Sequence, residues 1–157
     1  MSFELQQLTI YLDQQPLFQP LNVQLAGGEI ATVMGPSGSG KSTLLAAICG
    51  TLLPAFQASG EIQLNGQDLT VLPLEDRGVG ILFQDDLLFP HLDVFHNLAF
   101  GLPAGLSKTE RRLRIESALA SAGLNGQGNR DVATLSGGQR ARVSLLRTLL
   151  AEPQLIL

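Results

Sequence analysis

The chain has 157 residues, a length that predicts one domain, and 45% of them are apolar, enough to bury a core. Its formal net charge of −4 argues against a nucleic-acid binder that works through bulk charge. The single cysteine, Cys49, excludes an intramolecular disulfide and suits a reducing compartment. No basic region opens the chain and Glu4 interrupts its start, so no secretory signal is predicted. Ser42 to Gly60 carries no charge, but Gly50 and Pro54 break the run below the roughly 20 apolar residues a membrane span needs. It reads instead as a buried helix followed by a turn.

In chain order, Phe3, Leu5, Leu8, Ile10 and Leu12 alternate in part and predict a strand over residues 3–12. Pro16 and Pro20 bracket a loop, Asn22–Leu25 reads as a second strand, and Gly27-Gly28 turns into a third, buried strand at Glu29–Met34. There follows Gly35-Pro36-Ser37-Gly38-Ser39-Gly40-Lys41-Ser42-Thr43, which fits the phosphate-loop pattern G-x-x-x-x-G-K-[ST], and then a helix over Ser42–Ile48. Glycines let the backbone wrap a phosphate without Cβ clashes, and successive N–H groups at a helix N-terminus form an anion nest. In such a loop Lys41 would reach the β- and γ-phosphates of a bound polyphosphate, and the Ser42 hydroxyl would ligate Mg²⁺.

Gly60–Gly66 reads as a strand ending in an Asn65-Gly66 turn, and Gly78–Phe83 as a buried strand running into Gln84. From about Val94 the pattern is helical. Ser107-Lys108-Thr109-Glu110 is a capping box opening a helix to Ala122, with Gly123 suited to its C′ position. Ser136-Gly137-Gly138-Gln139 has the same spacing and opens a second long helix to about Ala151, before Pro153 and a final strand at Gln154–Leu157. Two glycines in a first turn cost roughly 1 kcal/mol each, so they need a reason. Accessible amides at a helix N-terminus, able to grip an anion, supply one. Leu87-Leu88-Phe89 form an apolar run that reads equally as a docking surface or as core. His91 and His96 have neither a cysteine nor a third histidine to accompany them as metal ligands. Residues 1–100 carry two basic residues, Lys41 and Arg77, against ten acidic ones, whereas 101–157 carry eight against four, an asymmetry that reads either as an invitation to head-to-tail association or as ordinary solvated surface.

The phosphate loop at 35–43, Gln84 after the next core strand and Leu135-Ser136-Gly137-Gly138-Gln139 occur in the order found in the nucleotide-binding subunit of ATP-binding-cassette (ABC) transporters, and the chain resembles that family over essentially its whole length. The run Ile81–Leu92 is similar to bacterial importer subunits of the thiamine, ferric-iron and polyamine type. The resemblance implies an α/β fold: a phosphate-loop NTPase core, a small antiparallel sheet from residues 1–30 and 58–75, and a helical subdomain from about 86 to 135. It implies a peripheral subunit on the cytoplasmic face of the membrane that binds and hydrolyses ATP with Mg²⁺ to power solute transport. Transmembrane permease subunits would contact the segment Asp85–His91. Two copies would associate head to tail, with Ser136, Gly137, Gly138 and Gln139 of one reaching the ATP held by the loop of the other, and with Lys41, Gln84 and Ser136 in catalytic roles and Ser42 and Gln84 at the metal.

Three features depart from the family pattern. By its distance from the phosphate loop the adenine-stacking position falls on Leu12, with Tyr11 beside it. The Asp-Glu pair that should end the strand begun at Leu155-Ile156-Leu157 is absent, as is the later switch histidine. The expectation is a segment of a longer subunit that binds nucleotide, hydrolyses little ATP alone and folds poorly alone, because its last strand offers an unpaired apolar edge. The other readings are an ABC ATPase outside transport and a nucleotide-binding regulator without turnover.

Overall fold

A computed structural model describes residues 1–157. The fold is α/β and divides into two compact units, residues 1–79 with Leu157, and residues 80–156.

In the first unit the long strand β1 (Ser2–Leu12) is central. It pairs antiparallel with β2 (Gln15–Pro16), β3 (Leu21–Ala26) and β4 (Phe56–Leu64), and β4 pairs onward with β5 (Gln67–Asp68). The uneven spacing of Phe3, Leu5, Leu8 and Ile10 has a structural cause. The register slips between Leu5 and Leu8 against β3, and Gln7 takes a left-handed φ of 50°. This bulge absorbs one residue, so the side chains on either side of it all turn inward. Asn65 and Gly66, both at positive φ, make the turn expected from their sequence.

The buried strand expected at Glu29–Met34 is not present. Ile30 and Met34 are 92% and 86% exposed. A strand exists by pairing, and none of the strands of this sheet lies alongside residues 29–34 to take their N–H and C=O groups. The strand expected at Gly78–Phe83 shrinks to β6 (Val79–Gly80), which pairs with β7 (Leu155–Ile156), and Phe83 stands exposed.

Helix α1 (Lys41–Cys49) stops at Gly50, whose φ of 93° only glycine adopts freely, and Arg77 secures this end. The Arg77 guanidinium donates to the carbonyls of Ala47 (3.2 Å), Ile48 (3.1 Å) and Leu72 (3.2 Å), supplying partners for carbonyls that a helix end leaves open. Burial raises the Cys49 thiol pKa, with Arg77 opposing that shift.

The second unit is built from α2 (Val94–Ala99), α3 (Lys108–Ser121) and α4 (Gly137–Leu150) around one core of Val94, Leu98, Ile115, Leu119, Val143, Leu146 and their neighbours. Both long helices start in complete capping boxes. Ser107 and Glu110, and likewise Ser136 and Gln139, exchange side-chain and backbone hydrogen bonds. Gly123 follows the end of α3 at φ 67°, the conformation its position requires. No helix is long and apolar enough to cross a membrane.

Candidate functional site: a phosphate loop and a signature-helix cleft

The first unit carries the phosphate loop. Gly38 and Gly40 have φ of 80° and 86°, and a Cβ on Gly35 would meet Ser39 Oγ at 2.9 Å. The curl of the loop is therefore disfavoured for side chains at Gly38 and Gly40 by their left-handed backbone, and crowded at Gly35 by the Ser39 hydroxyl. Gly40 is also the N-cap of α1, and no side chain caps that helix start, so its first amides are left to an external acceptor. Lys41 is half-buried, and its ammonium folds back to donate to the carbonyls of Gly35 (2.9 Å) and Pro36 (2.6 Å), bracing the loop across its mouth. Pro36, Ser37 and Ser42 are exposed, and Ser39 and Thr43 half-buried. A glycine curl, uncapped amides, a cation and a hydroxyl together fit a polyphosphate with its divalent cation.

Tyr11 and Leu12 lie at the end of β1, paired with Pro16 and Gln15 on one side and with Gln57 and Phe56 on the other. An aromatic that the sequence motifs do not single out comes nearer to the loop. The Phe18 ring edge lies 3.3 Å from where a Gly40 Cβ would stand, and the neighbouring Leu17 N–H is tied to the Ile10 carbonyl of β1 (2.8 Å). One sequence signal does mark it: Phe18 is the aromatic inside the loop that Pro16 and Pro20 bracket.

The second unit brings Gln84 and the signature together. Exposed Gln84 lines a cleft of about 560 Å³ with Asp85, Asp86, Gly137, Arg140 and Ser144. Ser136 and Gln139 hold each other in the capping box, so their side chains are pre-set rather than free, while a Cβ placed on Gly138 would meet nothing within 4 Å. The alternatives for Leu87-Leu88-Phe89 separate residue by residue. Leu88 packs against the helical core. Leu87 is 53% exposed at an unusual φ of 44°. The Phe89 ring stacks at 4.6 Å on Phe100, itself 69% exposed, beneath the Arg147 guanidinium at 5.3 Å. Burial lowers the Arg147 pKa, and the charge of Asp86 opposes that shift. Phe83, Leu87, Phe89 and Phe100 line one apolar groove of about 450 Å³ together with Asp85, Asp86 and Arg147. His96 bonds to Asp93 through Nδ1 (2.7 Å), and no cluster of three metal-ligating side chains occurs. A larger cleft, about 690 Å³, lies among Phe95, Arg112, Glu116 and Leu119 and holds none of the candidate nucleotide-site residues.

A phosphate loop and a capped Ser-Gly-Gly-Gln helix start in one α/β chain define a nucleotide-binding cassette. The chain belongs to the ABC transporter family, whose profile matches residues 18–157. It is 47% identical over 150 residues to an uncharacterised ABC transporter ATP-binding protein, YnjD, of Escherichia coli K12, covering 96% of this chain and 69% of that protein. It is 43% identical over 138 residues to the Fe(3+) ions import ATP-binding protein FbpC 1 of Rhizobium meliloti, covering 87% of this chain and 38% of that one. It is 46% identical over 137 residues to the thiamine import ATP-binding protein ThiQ of Brucella abortus, covering 87% of this chain and 56% of that one. The chain thus spans well under half the length of the iron-import relative.

Proposed function

We propose that this chain is the nucleotide-binding part of an importer-type ABC transporter: it holds Mg·ATP in the 35–43 loop and takes part in ATP hydrolysis that drives solute import. The observation that carries this is the phosphate loop itself, with uncapped amides at the start of α1 and Lys41 across its mouth. In the ATP-bound state the Lys41 ammonium exchanges the Gly35 and Pro36 carbonyls for phosphate oxygens. The amides of residues 38–43 hold the polyphosphate, and Tyr11, Leu12 and Phe18 are the side chains available to the base. Ser42 is the hydroxyl for Mg²⁺, which when bound neutralises charge on the β- and γ-phosphates. Gln84 is the second polar group for the metal or the attacking water.

Ser136, Gly137, Gly138 and Gln139 act on the ATP of a second copy. Their capping box fixes α4's first turn before any ligand arrives, so little ordering entropy is lost on binding. The groove of Phe83, Leu87, Phe89 and Phe100 receives a cytoplasmic segment of a transmembrane permease. The relatives named for iron and thiamine import support the import reading.

Binding of a fluorescent ATP analogue with Mg²⁺ tests the first step. Lys41→Ala weakens it at least tenfold, since a charge-assisted contact is worth about 1.5–3 kcal/mol. Unchanged affinity in that variant would remove the phosphate-loop assignment. Ser136 needs a variant that keeps its cap. Ser136→Asn preserves helix capping, whereas Ser136→Ala also loses about 1 kcal/mol of stability. Loss of ATP-dependent dimerisation in Ser136→Asn, with an unchanged melt, supports the role across two copies, and dimerisation as in the unsubstituted chain rejects it.

A further inference from the structure

The cleft of about 690 Å³ beside α3 contains no residue given a part above in nucleotide binding or in docking, and all of its lining belongs to the unit 80–156. Its volume falls within the range of small-molecule sites, about 300–1,000 Å³. Its apolar surface is fixed in place. Leu119 of α3 is buried, and Phe95 and Ala99 of α2 are half-buried against the same core. The loop 125–129 that completes the cleft is tied to α2. The Phe95 N–H donates to the Gly128 carbonyl (2.8 Å), and the Val94 N–H to that of Arg130 (3.0 Å). A Cβ on Gly128 would stand 3.7 Å from both Leu119 and Phe95, so loop and helices are already in contact before any ligand enters. Against this apolar surface stand Lys108, Arg111 and Arg112, three of the ten basic residues of a chain whose net charge is −4. Arg112 is answered by Glu116 at 2.8 Å. The Arg111 guanidinium reaches only the carbonyls of Leu106 and Pro103, at 3.4 Å each. The Lys108 ammonium and the side-chain amides of Asn125 and Asn129 make no hydrogen bond within the chain. One carboxylate against three cations leaves two positive charges uncompensated beside apolar surface. Lys108 and Arg112, four residues apart, repel each other on one face of α3, a cost that an anion between them would remove.

We propose that this cleft is a binding site for a small amphipathic organic anion, an aromatic carboxylate in chemical class. The aromatic body lies on Phe95, Ala99 and Leu119, and the carboxylate is held by Lys108 and Arg111. Asn125 and Asn129 supply donors and acceptors for further polar groups on the body. The apolar contact gives area, and the cations select for charge, the division of labour usual in small-molecule pockets. The site is separate from the phosphate loop and from the Phe83–Phe100 groove, so it stands or falls independently of the nucleotide and permease readings.

Backbone amide NMR shifts of the full 157-residue chain test this, with naphthalene-2-carboxylate as the probe and neutral naphthalene-2-carboxamide as its control. The carboxylate shifts the amides of 95–99, 108–112 and 125–129 saturably, with a dissociation constant of about 1 mM or tighter, as its size allows. The carboxamide binds about tenfold more weakly, the equivalent of one charge-assisted contact. Lys108→Glu brings the carboxylate down to the level of the carboxamide. An acidic residue suits the first turn of α3, so the fold of this variant is kept. Lys108→Gln gives the same reading should the reversed charge disturb the Ser107–Glu110 box. Shifts confined to other parts of the chain, no saturable shifts, equal affinity for the two probes, or unchanged carboxylate binding in Lys108→Glu would each overturn the proposal. So would binding of a hexaglutamate peptide without any response to the carboxylate, which would make the cleft a docking site for an acidic chain.

Discussion

Gly101 lies directly against the main chain of Arg147: a Cβ built on Gly101 would overlap the Arg147 carbonyl oxygen. The chain leaving α2 and the last turns of α4 therefore meet backbone to backbone, and this contact sets how far Arg147 stands from Phe89 and Phe100. Gly101→Ala must push the two apart. The expected loss is about 3 kcal/mol, at the upper end for overpacking. A urea melt measures it, and loss of the Arg147 contact with Phe89 should appear as altered ring-proton shifts of Phe89 and Phe100. A variant as stable as the parent would show that the helices slide without cost.

The end of α1 offers a cleaner coupling. A Cβ on Gly50 would lie 2.7 Å from the guanidinium carbon of Arg77. Gly50→Ala carries the left-handed penalty, roughly 1–2 kcal/mol, as well as this clash. Arg77→Ala strips the partners from the Ala47 and Ile48 carbonyls at a cost of about 1–3 kcal/mol. The two losses should not add: with Arg77 gone, Gly50→Ala retains only its backbone term. A double-mutant cycle on melting free energies checks this, and strict additivity would mean that the side chain simply swings aside.

Asn97 is fully buried in α2 and organises the loop that ends in the groove. Its Oδ1 accepts the Phe89 N–H at 2.8 Å, and its Nδ2 donates to the carbonyls of Phe89, Leu92 and Asp93 at 3.0–3.1 Å. Asn97→Leu keeps the volume and orphans those groups, for a loss of about 2–4 kcal/mol. Asn97→Asp places a carboxylate among three carbonyl oxygens. Its folded pKa is then raised, so its deficit grows as pH rises from about 4 to 7 and shrinks on acidification. Melts at pH 4 and pH 7 separate the two variants, and a pH-independent deficit in Asn97→Asp would contradict the hydrogen-bond assignment.

Acid should loosen two capped elements first. Glu110 is held below its ordinary value by the Ser107 hydroxyl and then its N–H, and Asp68 by the Thr70 hydroxyl and then its N–H. Both carboxylates are depressed, so their contributions are complete above the unfolded values of 4.5 and 3.8 and are lost as pH falls through the lower folded ones. Helicity followed from pH 6 to pH 2 should fall less steeply in Glu110→Gln than in the parent. Identical acid limbs would show that the capping box of α3 does not titrate.

Local chemistry is legible from the residues alone. The phosphate loop, both capping boxes, the Asn65-Gly66 turn and the stop at Gly123 each depend on side chains and dihedrals within a few residues, and neighbours in sequence determine them. Pattern fails where pairing decides. Glu29–Met34 has the composition of a buried strand and is exposed, because a strand needs a second chain segment to receive its hydrogen bonds and composition does not supply one. Phe18 belongs to no motif, because its place beside Gly40 follows from the fold of β1 and β2.

The family, the glycine curl at 35–43 and the capped helix start at Ser136 could be read from the residues, since each local feature is a short run whose backbone chemistry is its own. That Leu87 turns outward while Leu88 turns in emerged from three-dimensional packing. So did the placing of Asp86 on Arg140 across 54 positions of chain, and of Gly101 against Arg147. Those contacts belong to α4 crossing the loop and the end of α2, and no periodicity within a single segment encodes where another segment will cross it.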